Sequence, residues 1–308
     1  MHSFVRSLFI MSLATVSAFS RKGSPFIGRW DFNLPGPGLL KSNWVGVVEK
    51  NGQLEVSFQP TGGHVEVMKD AKVVGNHLSF TATAATDKAP AMTWDLAAVD
   101  GKLTGVQKRG DKVVPLVGTK APDLKHAAPK AWTTPEPLFN GKDLTGWEPL
   151  GDPKNSKWTV KDGLLFNQEH GANLVSTKKF SDFKLHFEVY CPEKANSGFY
   201  LRGRYEIQLE VGEEGNAPAN RLMGAVYGRL TPEKEAPKKG EYDVFDVTLV
   251  GRTVTVVRNG VTTISAKEIE GLTGGALDAN EGEPGPFYIQ GDHTGGLKFR
   301  NITVSVPK

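Results

Sequence analysis

Phe199-Tyr-Leu-Arg-Gly-Arg-Tyr-Glu-Ile-Gln-Leu-Glu210 is the stretch on which the reading of this chain turns. Phe199, Leu201, Tyr205, Ile207 and Leu209 fall on one side of an alternating pattern. Tyr200, Arg202, Arg204, Glu206, Gln208 and Glu210 fall on the other. A period of two marks a strand that lays one face on a core. Phe183-Lys-Leu-His-Phe-Glu-Val-Tyr190 alternates in the same way, with Phe183, Leu185, Phe187 and Val189 opposite Lys184, His186, Glu188 and Tyr190. The two stretches predict long strands of an antiparallel sheet, with Phe199–Glu210 running unbroken over twelve residues.

The polar row of the Phe199–Glu210 strand mixes aromatic, cationic, anionic and amide groups, the set that sugar recognition requires. Glu206 and Glu210 stand two same-face steps apart, each step being ~6.6–7 Å. Their carboxyls could meet at a distance compatible with paired acid–base work. A merely solvated sheet face has the same spacing, so the pattern leaves both readings open.

Outward from this stretch the chain divides. Residues 26–117 carry short runs of strand formers, among them Gly28–Phe32, Trp44–Val48, Gln53–Phe58 and His77–Thr81. Turn pairs such as Asn51-Gly52 and Asp100-Gly101 separate them. Strands at that spacing predict a small β-barrel or β-sandwich over 22–120. Residues 121–137 lose all periodicity and hold four prolines, which reads as a semi-stiff linker. A second β-rich domain follows over 138–308. At the other end, an apolar run from Leu8 to Phe19 behind Arg6, with Val16-Ser17-Ala18 at its close, predicts a signal peptide cleaved after Ala18. That run is too short to span a bilayer. The expected location is therefore periplasmic or secreted, with no membrane insertion.

Composition narrows the function classes. The 308 residues carry a net charge of +3, with 39% hydrophobic and 23% charged residues, which suits packed cores. Residues 1–133 hold 16 Lys and Arg against 10 Asp and Glu, without basic runs, so no nucleic-acid partner is expected. The single Cys191 excludes an intramolecular disulfide framework and a cysteine-based zinc cluster, and reads as a packed thiol. The seven histidines show no metal-protease spacing, and no nucleophile elbow, phosphate loop or dinucleotide fingerprint occurs.

Several motifs of the second domain form a familiar series. Leu138-Phe-Asn-Gly-Lys-Asp-Leu-Thr-Gly-Trp147 is followed by Trp158-Thr-Val-Lys-Asp-Gly163 and Phe180-Ser-Asp-Phe183. Then come Asn196-Ser-Gly-Phe-Tyr-Leu-Arg202, Tyr205-Glu-Ile-Gln208, Gly224-Ala-Val-Tyr-Gly228, Gly285-Pro-Phe-Tyr-Ile-Gln-Gly-Asp-His293 and Phe299-Arg-Asn-Ile302. In order and spacing this series resembles the 3-keto-disaccharide hydrolase family, also described as 3-keto-glucoside 1,2-lyases. The resemblance implies an all-β chain whose C-terminal domain is a concanavalin A-like jelly-roll sandwich with a carbohydrate site. The family often carries Asp where Glu210 stands and Trp-Asn near Tyr242-Asp243.

A ketone at sugar C3 acidifies the C2 proton, so a base can form an enolate and elimination can expel the C1 substituent. Water addition then completes a net hydrolysis. On this resemblance Glu206 is the expected base, with Glu210 or Glu188 as acid and Arg202 as cation on the C3 oxygen. Tyr200 is expected as an aromatic platform, with Gln208, His186, Gln290 and His293 binding hydroxyls. No cofactor is required by these residues. A divalent cation held by carboxylates is the alternative to Arg202 for polarising the ketone. Asn196-Ser197-Gly198 reads as a tight turn, and the loop 271–286 as a flexible acidic rim. A non-catalytic carbohydrate-binding module and a retaining β-glucanase built on Glu206 and Glu210 are the competing readings.

Overall fold

The computed structural model describes residues 23–34, 42–82, 90–211, 218–238 and 240–308. The expected signal peptide, 1–18, lies outside them. Among the described residues the chain is all-β, and its only helical turns are the 3-10 turns Pro153–Asn155 and Ala219–Arg221. No helix of the described residues is long and apolar enough to cross a membrane.

The N-terminal strands form one nine-stranded antiparallel sheet. They run in sequence order except that Gly28–Asn33 also pairs with Lys112–Lys120. Asn51 and Gly52 both take positive φ, 52° and 74°, as the primed turn of a two-residue hairpin demands. Phe58 and Phe80 come from strands one place in from opposite edges, yet their ring centroids lie 5.4 Å apart. The sheet is therefore curled until its two ends face each other across a shared core of Phe32, Phe58, Phe80 and Trp94.

The C-terminal strands form two sheets. The larger runs Trp158–Lys161, Leu164–Asn167, Lys298–Ser305, Phe183–Tyr190, Asp243–Val250, Thr253–Arg258 and Val261–Glu268, with Glu136–Pro137 also paired to Lys298–Ser305. The smaller runs Trp147–Pro149, Leu174–Phe180, Gly285–Ile289, Asn196–Leu201 and Tyr205–Glu210. Their apolar faces meet as a sandwich: Phe187 of the larger sheet stacks on Phe199 of the smaller at 4.4 Å, and Phe183 meets Phe287 edge-on at 4.7 Å. Burial pushes the Cys191 thiol up to about 12, in keeping with a packed and unreactive group.

Three expectations change here. The twelve-residue strand is a hairpin, because Leu201 pairs with Tyr205 and the chain reverses through Arg202, Gly203 and Arg204. Each pair in this hairpin joins an odd residue to an odd or an even to an even, so alternation passes through the turn undisturbed. Gly203, at φ 68°, is the residue whose type marks the reversal in the sequence. The triplet Asn196-Ser197-Gly198 is strand rather than turn. The segment 121–137 lies along the C-terminal sandwich: Leu124 is buried and accepts from the Arg252 amide at 3.2 Å, and Trp132 bridges to Pro307.

Candidate active site

The outer face of the smaller sheet carries Tyr200, Glu206, Gln208 and Glu210 from the hairpin, with Tyr288 and Gln290 from Gly285–Ile289 and its exit. An outer sheet face would ordinarily be wet. Here Tyr200 and Tyr288 are 0% exposed, Gln208 1% and Glu206 4%, because other segments cover them. The cover leaves a polar cleft of about 180 Å³ lined by those side chains together with Asn196, Arg221, Tyr227, Asp292, His293, Gly274, Gly275 and the N-terminal Gly62 and Gly63.

Glu206 sits at the floor of this cleft. Burial pushes its carboxyl up to about 7. The hydrogen bond from Tyr200 and the His293 charge oppose that shift, while Asp292 and Glu210 add to it. The Tyr200 hydroxyl donates to Glu206 Oε2 at 2.7 Å and accepts from Gln290 Nε2 at 3.1 Å. Burial and the adjacent Glu206 carboxylate hold the Tyr200 hydroxyl well above its usual range, so it remains a donor. Gly198 lies opposite Gln208, and a Cβ there would collide with Glu206 Oε1. Its role is close approach to the carboxylate, not turn flexibility.

Asp292 and His293 form a second group. His293 Nδ1 and Asp292 Oδ1 are 3.0 Å apart, and Asn173 Nδ2 donates to Asp292 Oδ2 at 3.0 Å. The hydrogen bond to Asp292 raises His293 above its usual value despite partial burial. Burial pushes Asp292 upward, but the bonds from His293 and Asn173 outweigh it and leave the carboxyl low. The pairing therefore favours the charged imidazolium over the neutral ring, with Nε2 as the nitrogen left for a ligand.

Two amide oxygens in the cleft, Gln208 Oε1 and Gln290 Oε1, are buried with no protein partner among the described residues. Gln208 Nε2 meanwhile donates to Glu210 Oε2 at 2.6 Å. Buried acceptors without donors are costly, and hydroxyl groups of a ligand would satisfy them. Among the described residues no set of three or more His, Cys, Asp or Glu is arranged to hold a metal ion.

The structure thus gathers Glu206, Glu210, Tyr200, Gln208, Gln290 and His293 in one cleft and removes three other expected members. Arg202 lies in the hairpin turn, φ 53°, and its guanidinium donates to Tyr205 Oη at 3.1 Å and Gly251 O at 2.8 Å, outside the cleft. Glu188 is on the larger sheet, where Arg300 Nε and Asn301 Nδ2 donate to it at 2.7 and 2.6 Å. His186, on the same strand, pairs with Asp246 at 2.8 Å. Both point away from the sandwich core on the wrong sheet. Tyr200 is no exposed platform either, since its ring is buried and stacked on Tyr288 at 4.3 Å. The loop 271–286 is not an open rim, because Glu281 is fully buried against Arg29, Arg252 and Tyr205. Asp292, Tyr288, Asn173 and Arg221 were missed. Tyr288 and Asp292 stand in the Gly285–His293 motif, but no periodicity there marks which side chains turn inward.

Comparison with known proteins places these features in context. A family model described as "3-keto-alpha-glucoside-1,2-lyase-like domain" matches residues 134–305. No curated protein matches the chain in sequence. Among solved structures, a candidate glycosyl hydrolase of Parabacteroides distasonis is 26% identical, over 59% of this chain and 93% of its own, with a TM-score of 0.48. A second from that organism is 22% identical over 56% and 92%, with a TM-score of 0.45. Porphyranase B of Zobellia galactanivorans is 14% identical over 60% and 98%, with a TM-score of 0.34. The match over 134–305 spans more than half the chain and includes every side chain of the cleft, so this protein belongs to the carbohydrate-acting family of 3-keto-alpha-glucoside-1,2-lyase-like domains.

Proposed function

We propose that the protein cleaves 3-keto-glycosides by elimination across C1 and C2. One observation carries the reading: a fully enclosed carboxylate, Glu206, is tuned to about 7 and held by a tyrosine hydroxyl in a cleft with unpaired amide acceptors. A general base works best when its pKa lies near the working pH, and such a base contributes ~100–10,000-fold. Glu206 takes the C2 proton, and the electron pair of the C–H bond moves toward the C3 oxygen as an enolate. The His293 imidazolium, with Arg221 beside the same cleft, stabilises that oxyanion in the place first expected of Arg202. A preorganised donor there is worth ~100–1,000-fold. The enolate collapses, the C1–O bond breaks, and Glu210 delivers a proton to the leaving oxygen. Addition of water at C1 of the resulting enone gives net hydrolysis. Gln208 and Gln290 accept sugar hydroxyls. The apolar run Leu8–Phe19 behind Arg6, with Val16-Ser17-Ala18 at its close, supports export to the periplasm or beyond.

The test is incubation of the protein in heavy water with a 3-keto-disaccharide and with its unoxidised parent. Deuterium at C2 or cleavage is expected for the keto-sugar only, because the parent's C2 proton is not acidified. Cleavage of the parent at a comparable rate would instead identify a glucanase. Binding of several keto-sugars with neither exchange nor cleavage would identify a lectin.

A further inference from the structure

The segment Glu270–Glu281 runs between the nine-stranded unit and the floor of the cleft, and its two sides are engaged differently. On one side, successive alternate carbonyls are taken by donors of the N-terminal unit. Arg29 donates to Glu270 O, Trp44 Nε1 to Leu272 O at 3.1 Å, the Gly62 amide to Gly274 O at 2.7 Å, and Ser42 Oγ to Ala276 O at 3.0 Å. Asn33 then accepts from the Ala279 amide at 2.9 Å, and Arg29 pairs with the buried Glu281. On the other side, the intervening residues face the catalytic hairpin. Thr273 Oγ1 accepts from the Glu206 amide at 3.1 Å and donates to Arg204 O at 3.2 Å. Gly275 lies so close to the Tyr200 hydroxyl that a Cβ would collide with it, and a Cβ on Gly274 would collide with Gly63 O.

We propose that the nine-stranded N-terminal unit is the roof of the active site: through Trp44, Ser42, Arg29 and the turn Pro60–Gly63 it presses the segment Leu272–Ala276 onto Tyr200 and Glu206 and keeps water from the base. The turn itself brings no charge, since Gly62 and Gly63 are what it contributes to the cleft wall. The ionisable groups facing Glu206 are Tyr200, Tyr288, Glu210, Asp292 and His293, with Arg221 and Tyr227 also in the cleft wall, and all belong to the C-terminal sandwich. What the N-terminal unit supplies is desolvation, the largest cause of the raised Glu206 carboxyl. Trp44, Ser42 and Arg29 are therefore positioning residues. The inference rests on the proposed role of Glu206 as base.

The experiment uses the full chain with Trp44→Phe and Ser42→Ala, singly and together, which remove two tethers while largely keeping side-chain volume. His77→Ala, at an exposed pair with Asp95 on the same unit, serves as the control. The Glu206 carboxyl is titrated directly by difference infrared spectroscopy, its acid band being identified by its loss in Glu206→Gln. Turnover of the 3-keto-disaccharide is followed against pH in the same chains. Loosening the roof should lower the Glu206 titration by about one unit from its position near 7. The acid limb of kcat/KM should follow it, and His77→Ala should leave both unchanged. An unmoved Glu206 titration in the folded double variant, or in both folded single variants, overturns the proposal whatever happens to turnover. A shifted titration in chains that turn over no keto-sugar, wild type included, keeps the roof and refutes the reaction instead.

Discussion

Tyr200→Phe isolates what one hydroxyl does for the base. The ring is fully buried and stacked on Tyr288, so phenylalanine keeps the packing and removes only the 2.7 Å bond to Glu206 Oε2 and the acceptor for Gln290. That bond favours the ionised carboxylate, so its loss must raise the Glu206 carboxyl above its present value of about 7. A hydrogen bond to a charged group contributes about 1.5–3 kcal/mol, or about 1–2 pH units at 1.36 kcal/mol per unit. Glu206 is 4% exposed, so solvent screening does not reduce that figure much. With a shift of about 1.5 units, the ionised fraction at pH 7 falls from about one half to about 3%, a loss of about 15-fold in kcat/KM. The acid limb of the variant's profile should accordingly lie about 1.5 units above that of the wild type. A pH–rate profile of the variant and the wild type on one 3-keto-glycoside measures this directly. An acid limb at the same pH in both, or one displaced downward, would refute the assignment of Tyr200 as donor to the base.

Glu206→Gln should lower turnover about 100-fold or more. The same change should alter stability with a definite sign. The folded chain holds the Glu206 proton up to about pH 7, whereas an unfolded chain releases it near 4.5, so the cost of the buried charge is absent below 4.5 and complete above 7. The glutamine variant should therefore be more stable than wild type by about 3 kcal/mol at pH 8 and gain nothing at pH 4, as denaturant melts at the two pH values will read. Gly198→Ala should give a folded chain, by circular dichroism and thermal melting, in which the new Cβ displaces Glu206 Oε1 and abolishes most turnover; near-normal kcat would show that the carboxylate position is not critical. Asp292→Asn removes a carboxylate charge that raises both His293 and Glu206, so both limbs of the pH profile should move toward acid. Limbs moving apart would contradict the shared electrostatics of the cleft.

Much of the fold could be read directly from side-chain period. Phe183–Tyr190 alternates because its odd residues pack between two sheets, and the structure has those residues in the sandwich core. The N-terminal hairpins were equally legible, since Asn51-Gly52 and Asp100-Gly101 supply the positive φ their turns require. The in-line placement of Glu206, Gln208 and Glu210 also followed from period alone, because one strand carries all three on one side.

Period reports which face a residue is on, but not which sheet, and not what covers that face. Glu188 and Glu206 both stand on outward faces, yet one meets Arg300 and Asn301 on the larger sheet and the other lines a closed cleft on the smaller. Arg202 kept its place in the alternation while leaving the sheet, because a hairpin that pairs like with like preserves parity. The Asp292–His293 pair, the Tyr200 bond and the burial of Glu206 arise only when residues far apart in sequence meet. Most of the strands, their inner faces and the family follow from residue order alone, though not the reversal at Arg202–Arg204. Tertiary structure decided which polar row is a site, since the raised basicity of Glu206 comes from desolvation, and desolvation depends on the segments that fold over it.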